Sequence, residues 1–352
     1  MGNASQHDGS QGITRRQVLR TGAGLTAAAT TVGLPLLAAT PASATVASSS
    51  YFYFGGKGDD PVLRQTLHQP YWAMQSFAYD YINKNIYIAQ VKPYSTTGDN
   101  WINKTDVSGN VLGTMAIHGF GHASSMGVEP TSAGAEPYLW LEGAVNTASG
   151  GGQRISRFRY VEGGDLTWGA SSINDRTPTI SRFVNYPRPA IDPYTNRLLI
   201  RYRANLTDTR PWRIALFNLD DAVAGRLTDD DLLLDRAIPN NTELGPITDD
   251  DDFQGITAYG QYAYLSYGAP PTDDVPEPKS YLVRLNMNET GASYDEVFRT
   301  TAGASLPGRE PQGIAIWRTS SGPRLSFGFS SKISTGPDEF QATIFDKYEV
   351  ID

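Results

Sequence analysis

Apolar and polar positions alternate along most of this chain, in a unit that recurs five times. Each unit is a short apolar strand, a polar turn and a second strand rich in aromatic and β-branched residues. The units begin at Gln75, Ser125, Arg188, Gln254 and Gln312. A repeat of roughly 50 to 65 residues is typical of propeller blades. The pattern therefore predicts an all-β fold, a single five-bladed β-propeller, with a central channel and loops at its mouth.

Outer strands are predicted between these units, where apolar and charged residues alternate with a period of two, as in Arg154–Tyr160. Only the short stretch 220–234 has a helical pattern. Two terminal runs, Tyr51–Phe54 and Tyr348–Ile351, are strand-like. Because the first and last blades of a ring must be tied together, we expect terminal strands to close the propeller, which then extends over 51–352.

The N-terminal region reads as an export signal rather than as part of the fold. Thr14–Arg20 is a twin-arginine pattern, Ala23–Ala39 is apolar, and Ala42–Ala44 offers the small residues of a cleavage site. A transmembrane anchor is the alternative, but the apolar run is short and broken by Gly and Pro. We predict a twin-arginine signal peptide over 1–44, a flexible leader over 45–50, and a secreted protein, for which association with the cell wall is left open.

Composition and charge limit the classes of partner that we expect the protein to bind. The chain has a formal net charge of −8 and no Cys, so stability must come from core burial and blade packing rather than from disulfides. Removing the signal makes the mature chain more acidic, and no nucleic-acid-binding motif is present. We expect a monomer with no nucleic-acid partner and, once the signal is cleaved, no membrane partner.

The sequence His118-Gly-Phe-Gly-His122 is the most unusual local cluster. Its glycines rule out a helix, so the spacing of the two histidines is not the metal-binding pattern of a helix. The cluster leads into the second blade, where His122 would contact a ligand or transfer a proton. The alternative is an imidazole hydrogen-bonded within a tight loop, which is the preferred interpretation for His118.

A polar ring is predicted around the channel mouth. Its members, one from each of four blades, are Gln75, Arg188, Gln254 and Gln312. They could satisfy one another through water, or form a platform for hydroxyl and phosphate groups. Residues expected to contact the ligand on the same face are His68, Trp72 and Asp252.

Carboxylates on this face are candidates for proton transfer. A glycosidase needs two carboxyl groups across the sugar, and Glu129, Asp252 and Glu310 are the candidates beside His122. No catalytic motif of hydrolases pairs them. The run Asp249–Asp252 lacks the spacing of a calcium loop. We interpret it as a solvated acidic loop; no metal ligands are assigned, and a Ca²⁺ ion in the channel is the one cofactor left open.

Several motifs resemble a known propeller family. They are Gln75-Ser-Phe-Ala-x-Asp80 followed by Ile86-Tyr-Ile-Ala-Gln90, the segment Gly119–Glu129, and the Gln-Gly-Ile repeats at Gln254 and Gln312. The family contains helveticin-J-type bacteriocins, teichoic-acid protein C of bacilli and staphylococcal phage receptor-binding domains. The resemblance spans about Gln65 to the C-terminus. It implies a five-bladed propeller that binds or lyses cell-wall glycopolymers. Gln75, His122, Glu129, Gln254 and Gln312 match family-like positions, whereas Arg188 departs from the Gln pattern and favours a phosphate or carboxylate.

Three functions remain open at this point. The first is recognition of a cell-wall or extracellular polysaccharide, for which the 19 Tyr and 6 Trp offer stacking surfaces. The second is a glycoside hydrolase or lyase acting on such a polymer. The third is a scaffold for protein partners, since a fold alone does not decide function.

Overall fold

The structure, a computed structural model, describes residues 46–205, 210–272, 279–291, 293–333 and 339–352. The predicted signal peptide, 1–44, lies outside the described residues. The strands in chain order are β1 (Tyr51–Phe52), β2 (Gly58–Gln65), β3 (Ala73–Asp80), β4 (Asn85–Val91), β5 (Asn100–Asp106), β6 (Val111–His118), β7 (Met126–Glu129), β8 (Tyr138–Val145), β9 (Gly152–Arg159), β10 (Asp165–Thr167), β11 (Asn174–Asp175), β12 (Phe183–Asp192), β13 (Arg197–Ala204), β14 (Trp212–Asn218), β15 (Leu234–Ala237), β16 (Asp252–Tyr259), β17 (Tyr262–Ala269), β18 (Lys279–Asn286), β19 (Glu296–Arg299), β20 (Glu310–Thr319), β21 (Gly322–Lys332), β22 (Phe340–Lys347) and β23 (Val350–Ile351).

These strands form five blades, as the sequence predicts. From the axis outward, the blades are β3-β4-β5-β6-β10, β7-β8-β9-β11, β12-β13-β14-β15, β16-β17-β18-β19 and β20-β21-β22-β2. Most neighbouring strands are antiparallel, but β10 pairs in parallel with β6. The chain therefore leaves the second blade after β9, adds a strand to the first blade, and returns as β11. This exchange joins the two blades and is not visible in the repeat pattern.

The cores lie between the faces of adjacent blades. Apolar residues of the third and fourth blades, including Leu199, Ile214, Ile256 and Leu265, form one buried cluster. Equivalent clusters fill the other junctions. Because the inner strands are covered on both sides by neighbouring blades, they are apolar on both faces; every residue of β3 is buried. Burial of this kind, with no Cys in the chain, supplies the stability of the ring.

The five inner strands are β3, β7, β12, β16 and β20, and all run in the same direction. We call the side on which they begin the entry face, and the side on which they turn into their hairpins the exit face. The hairpins carry the turn chemistry expected from the sequence. Asp80 accepts hydrogen bonds from the N–H groups of Ile82 and Asn83, and Asp192 accepts one from Tyr194.

Terminal strands close the ring, which confirms the prediction, although the details differ. The outermost strand of the fifth blade is β2, which pairs antiparallel with β22. The predicted contact between the terminal runs is also present, because Tyr51 and Phe52 pair with Ile351 and Val350. An ion pair of 2.7 Å between Lys347 Nζ and Asp59 Oδ2 adds to the closure. Because the sequence of β2 is mostly polar, it did not predict that this segment is the outermost strand of the fifth blade.

The described part of the predicted leader, 46–50, packs against the propeller. Val46 is buried in the core cluster of the third and fourth blades. Its backbone N–H donates to Asn288 Oδ1 and its carbonyl accepts from Asn288 Nδ2, both at 2.7 Å. The side chain of Ser49 accepts a hydrogen bond from the N–H of Gln261. The segment is therefore docked on the fourth blade.

Helical structure is confined to one short helix, α1 (Leu219–Val223), and two single turns, Asp229–Asp231 and Asn241–Glu243, among the described residues. The first two of these fall within the stretch for which the sequence predicts helix. None of the helices in the described part of the chain has the length and apolar character needed to cross a membrane.

Candidate functional site

The structure gathers all but one of the predicted site residues on the entry face. They lie before the start of an inner strand, at its start, or within it before the residues that lead into the hairpin, and are His68, Trp72, Gln75, His122, Arg188, Asp252, Gln254, Glu310 and Gln312. The exception is Glu129, the last residue of β7, which lies at the exit face.

Glu129 is held in a structural network. Its Oε1 and Oε2 accept a bidentate pair of hydrogen bonds from Arg157, each 2.7 Å, and Oε2 also accepts one from Trp140 Nε1. The guanidinium of Arg157 lies 3.5 Å from the ring centroid of Tyr138. The structure therefore separates Glu129 from His122, and a catalytic pair of these two residues is not formed.

The three glutamines of the polar ring are sealed inside the propeller. Gln75, Gln254 and Gln312 are between 0 and 2% exposed, because the inner strands approach one another closely at this level. A Cβ on Gly313 would lie 2.9 Å from the Cα of Ser76. The amides are therefore buried supports of the ring, and the expected open platform is not formed by them.

Part of this amide layer lacks protein partners. Both side-chain polar atoms of Gln312, and Oε1 of Gln75, have no hydrogen bond within the described residues. Gln254 is better satisfied, since its Nε2 donates to the carbonyl of Gly268 at 3.3 Å and to Glu310 Oε1 at 3.5 Å. Buried amides of this kind usually bind ordered water, which fits the first of the two expectations for the ring.

Below the amide layer the axis is almost filled. A cavity of about 20 Å³ remains, lined by residues of all five inner strands, among them Ala78, Val128, Ile191, Thr257 and Ile316. Such a space holds about one water molecule. No carboxylate of the described residues lines this cavity, and its volume is too small for the six to eight oxygen ligands of Ca²⁺. At this level of the axis, the described inner strands leave no open channel.

Arg188 differs from the glutamines in position as well as in chemistry. Counted back from the last residue before the hairpin, Arg188 of the third blade corresponds to Ser76 of the first, not to Gln75. The sequence alignment of the repeats was therefore wrong by one residue here. A register irregularity between Asn185 and Arg188 accounts for the shift.

The partner of Arg188 is Glu142, a residue of β8 that the sequence analysis did not single out. Arg188 Nη1 forms an ion pair with Glu142 Oε2, and Arg188 Nε donates to Ser124 Oγ at 2.6 Å. The carboxylate also accepts from the backbone N–H groups of Ala123 and Gly152. Burial raises the pKa of Glu142, while Arg188 and these N–H groups act in the opposite direction.

Gly121 of the histidine cluster leaves the space that the Glu142 carboxylate occupies. A Cβ on Gly121 would lie 2.6 Å from Glu142 Cδ, so only glycine allows the loop to wrap around it. His122 is half-buried and lies between Gly121 and Ala123, whose backbone N–H donates to Glu142. His118 instead bonds Asp99 through Nδ1 at 3.2 Å and Asp165 of β10 through Nε2 at 3.3 Å, which fits the structural role expected for it.

Directly across from Arg188 on β13 lies a second buried arginine, Arg201. Its guanidinium is sandwiched between the rings of Trp212 and Phe253, at 3.7 and 3.8 Å from their centroids. Arg201 is 6% exposed, and no carboxylate of the described residues pairs with it. Burial lowers the pKa of Arg201 to about 9, so the group remains charged at neutral pH. A buried cation without a counter-charge is costly, and an anion bound there would offset that cost.

Aromatic and polar residues surround the blade openings. The ring of His68 packs on Trp101 with centroids 4.4 Å apart. Beneath its loop, Gln90 Nε2 donates to the carbonyls of Gln69 and Trp72, which fixes the loop that carries both predicted contacts. Tyr94, at the tip of the β4–β5 loop, is 96% exposed.

The acidic run Asp249–Asp252 is not uniformly solvated. Asp251 is buried, and its Oδ2 accepts from the N–H and hydroxyl of Thr248 at 2.9 and 3.0 Å. Asp252 begins β16 beside Gln254. Within the described ranges, no three His, Asp or Glu side chains come close enough to hold a metal ion.

Residues 73–318 match the family described as the phage five-bladed β-propeller receptor-binding platform domain. The chain belongs to this family. The match begins at the first inner strand and ends within the fifth, so it covers the entry-face candidates from Gln75 to Gln312 but not His68 and Trp72. It confirms both the five-bladed fold and the resemblance inferred from the sequence motifs.

Two further proteins are similar to this chain, one in sequence and one in fold. The chain is 27% identical to the putative major teichoic acid biosynthesis protein C of Bacillus subtilis (strain 168) over 163 residues, 44% of this chain and 34% of that protein. It is similar in fold to the tail fiber of Staphylococcus aureus phage P68, with a TM-score of 0.58, 17% identity, and coverage of 81% of this chain and 52% of the fiber chain. The chain thus spans about a third and about half, respectively, of these relatives.

A more distant likeness extends to an α-L-arabinofuranosidase from Lactobacillus brevis, with a TM-score of 0.46 and 8% identity over 80% of this chain and 92% of that one. The sequence placed all the candidate residues except Glu129 on the entry face but did not single out Glu142 and Arg201. Glu142 is the one charged residue of β8, and Arg201 is one of three arginines of β13, so neither strand pattern marked these two as a buried site.

Proposed function

We propose that this propeller recognises an anionic cell-wall or extracellular glycopolymer on its entry face, with Arg188 and Arg201 binding a phosphate or carboxylate group of the polymer. The observation that carries the proposal is the Arg201 guanidinium, buried between two aromatic rings with no carboxylate partner among the described residues. Guanidinium groups bind phosphate and carboxylate through planar pairs of N–H donors.

Family membership supports this proposal. The matching family is a receptor-binding platform, and one relative is named for teichoic acid biosynthesis. Around the entry face, Trp72, His68 and the exposed Tyr94 provide surfaces on which sugar units could stack. The anionic group would bind at the third blade and the sugars at the first.

We further propose that the protein is exported through the twin-arginine signal of residues 1–44 and acts as a monomer at or near a cell wall. Because the net charge is −8, the molecule as a whole would repel an anionic polymer. Attraction must therefore come from a local group of positive charges. The arginine pair must then act at short range, where screening by salt is weakest.

Binding of the chain from residue 45 onward to purified wall teichoic acid tests this function. Arg201→Met should weaken binding at least tenfold, because it removes the charge but keeps much of the volume. Arg154→Met is the matched control: Arg154 lies on β9 in an exposed pair with Asp175, and its loss changes the net charge equally. Equal binding by the Arg201 variant and the wild type would refute the proposal.

A glycoside hydrolase is the second candidate, and one observation favours it. Asp252 and Glu310 begin the neighbouring inner strands β16 and β20 on the entry face, so two carboxylates stand at matching positions of adjacent blades. Mass spectrometry of the same incubations would reveal released fragments. Fragments that disappear with Glu310→Gln or His122→Ala, while binding persists, would establish turnover; retention without fragments leaves a binding protein. If neither occurs, a protein partner is the remaining hypothesis.

A further inference from the structure

The exit face carries a cleft that the entry-face proposal does not use. It lies between the fifth and first blades and has a volume of about 620 Å³, within the range of small-ligand sites. The lining residues that matter here are Asp60, Val107, Trp317, Arg324, Asp346 and Tyr348. All of these except Val107 and Trp317 lie outside the family match of 73–318, so the cleft belongs largely to the closing strands of this chain.

One wall of the cleft is a fixed aromatic ring. Trp317 stacks on Tyr79 with centroids 5.1 Å apart and an interplanar angle of 7°. Tyr79 is itself immobile, since it is buried and its hydroxyl donates to Ser326 Oγ at 2.9 Å. The indole is half-buried and cannot swing into the core. An aromatic side chain held in this way can pack against an apolar ligand surface with little loss of conformational entropy.

A guanidinium lies between this ring and a second aromatic residue. The Cζ atom of Arg324 is 5.6 Å from the ring centroid of Trp317 and 5.1 Å from that of Tyr348. Arg324 Nη1 donates to Asp346 Oδ2 at 2.6 Å, and Asp346 is buried. Across the described chain this is the one hydrogen bond made by the guanidinium, so its other N–H groups are available to a ligand.

The charges in the cleft indicate what the ligand is. Asp60 and Asp346 carry two negative charges against the one positive charge of Arg324, so the site has a net negative charge. A phosphate or carboxylate would be repelled. Neighbouring hydroxyls of Thr319 and Ser321, 2.9 Å apart, add neutral donors and acceptors. Aromatic surface together with paired donors and acceptors suits a ligand that has apolar faces and many hydroxyl groups.

We propose that this cleft binds a neutral sugar residue, with its apolar face packed against the exposed edge of Trp317 and the ring of Tyr348 and its hydroxyls hydrogen-bonded to Arg324 and Asp60. The site is independent of the entry face and has the opposite charge preference. A polymer with both anionic and neutral units could therefore bind the entry face of one propeller molecule and the exit face of another. A neutral monosaccharide lacks the anionic group that anchors the polymer at the entry face, so we expect it to bind more tightly at the exit face.

Saturation-transfer NMR with glucose, galactose, N-acetylglucosamine and glucuronate as probes tests the proposal. At least one neutral sugar should bind with a Kd on the order of millimolar, the range of a single small-sugar site, and more tightly than glucuronate. Tyr348→Ala should weaken binding several-fold, since Tyr348 is 42% exposed and its truncation leaves the core intact. Trp317→Ala should weaken it at least tenfold.

Two controls make the outcome decisive. Arg154→Met, at an exposed position of the second blade, should leave neutral-sugar binding unchanged. Asp60→Asn, at an exposed position, reports on the cleft without disturbing the aromatic stack, so the test holds even if Trp317→Ala fails to fold. Absence of binding by all three neutral sugars, a preference for glucuronate, or unchanged affinity in both the Tyr348 and Asp60 variants would overturn the proposal.

Discussion

Arg188 and Arg201 face each other across β12 and β13, and one carboxylate, Glu142, accompanies the pair within the described chain. Two buried like charges this close disfavour each other. The carboxylate neutralises Arg188 and leaves the charge of Arg201 uncompensated. The third blade thus carries an excess positive charge in a protein that is acidic as a whole, and this charge distinguishes its entry face.

Glu142→Gln should destabilise the fold by about 3–5 kcal/mol, because it leaves the buried guanidinium of Arg188 without its counter-charge. Urea denaturation measures the change. In the double variant Glu142→Gln/Arg188→Met, much of the loss should be recovered, since neither charge is then buried alone. A single-variant loss below about 1 kcal/mol would show that solvent or other groups already neutralise Arg188.

Arg201→Met should leave the free energy of unfolding within about 1 kcal/mol of the wild type, because relief of the buried charge offsets the lost cation–π contacts with Trp212 and Phe253. This result would separate a ligand-binding role from a structural one. Should denaturation instead reveal a loss of about 3 kcal/mol, typical of a broken buried ion pair, the side chain would belong to the architecture of the blade and not to a binding site.

Removing the last eight residues should cost at least about 3 kcal/mol, the usual cost of losing a buried aromatic side chain. The deletion removes Phe345 and Lys347, whose backbones pair with β2 and which are both buried. Removing only 349–352, which leaves β22 whole, is the control and should cost much less. Thermal melts followed by circular dichroism would compare them; similar melting temperatures for the two deletions would mean that β22 does not hold the ring.

Gly313→Ala should destabilise the protein by about 2 kcal/mol or more, from the left-handed backbone and from overpacking. Gly313 has a φ of +77°, and its new Cβ would meet the backbone of Ser76. Gly163 has a similar φ of +68° but no atom within 4 Å of the built Cβ, so Gly163→Ala should cost only about 1 kcal/mol. Equal losses in chemical denaturation would show that crowding at the axis contributes nothing.

The sequence pattern was informative wherever structure depends on neighbours in the chain. Inner strands and their hairpins, such as Gln75–Asp80 followed by Ile86–Gln90, are local and strongly periodic, so the five blades could be predicted. The closing strand β2 could not, because its Gly-Asp-Asp-Pro start lacks apolar alternation. Its role depends on β22, at the other end of the chain.

The candidate site, too, could be predicted only where it depends on residues close together in the chain. Entry-face residues such as Asp252 and Glu310 could be located because every inner strand starts on one side. Their burial could not be foreseen: Gln312 is sealed by the close approach of other blades, which no local pattern reports. Glu142 and Arg188, 46 positions apart, meet only when two blades pack, and the register shift near Arg188 is invisible in the repeat.

The fifth blade combines strands that are far apart in the chain, and this fixes the order in which its parts are synthesised. Its outermost strand, β2, leaves the ribosome first, whereas its three inner strands are the last to emerge. Domains tend to begin folding from the N-terminal side during translation, yet this blade cannot form until β20, β21 and β22 have been synthesised. Until then β2 and the open face of the first blade remain uncovered. The growing chain must therefore avoid wrong strand pairing while the four other blades are made, and pairing of β22 with β2 is the step that completes the ring.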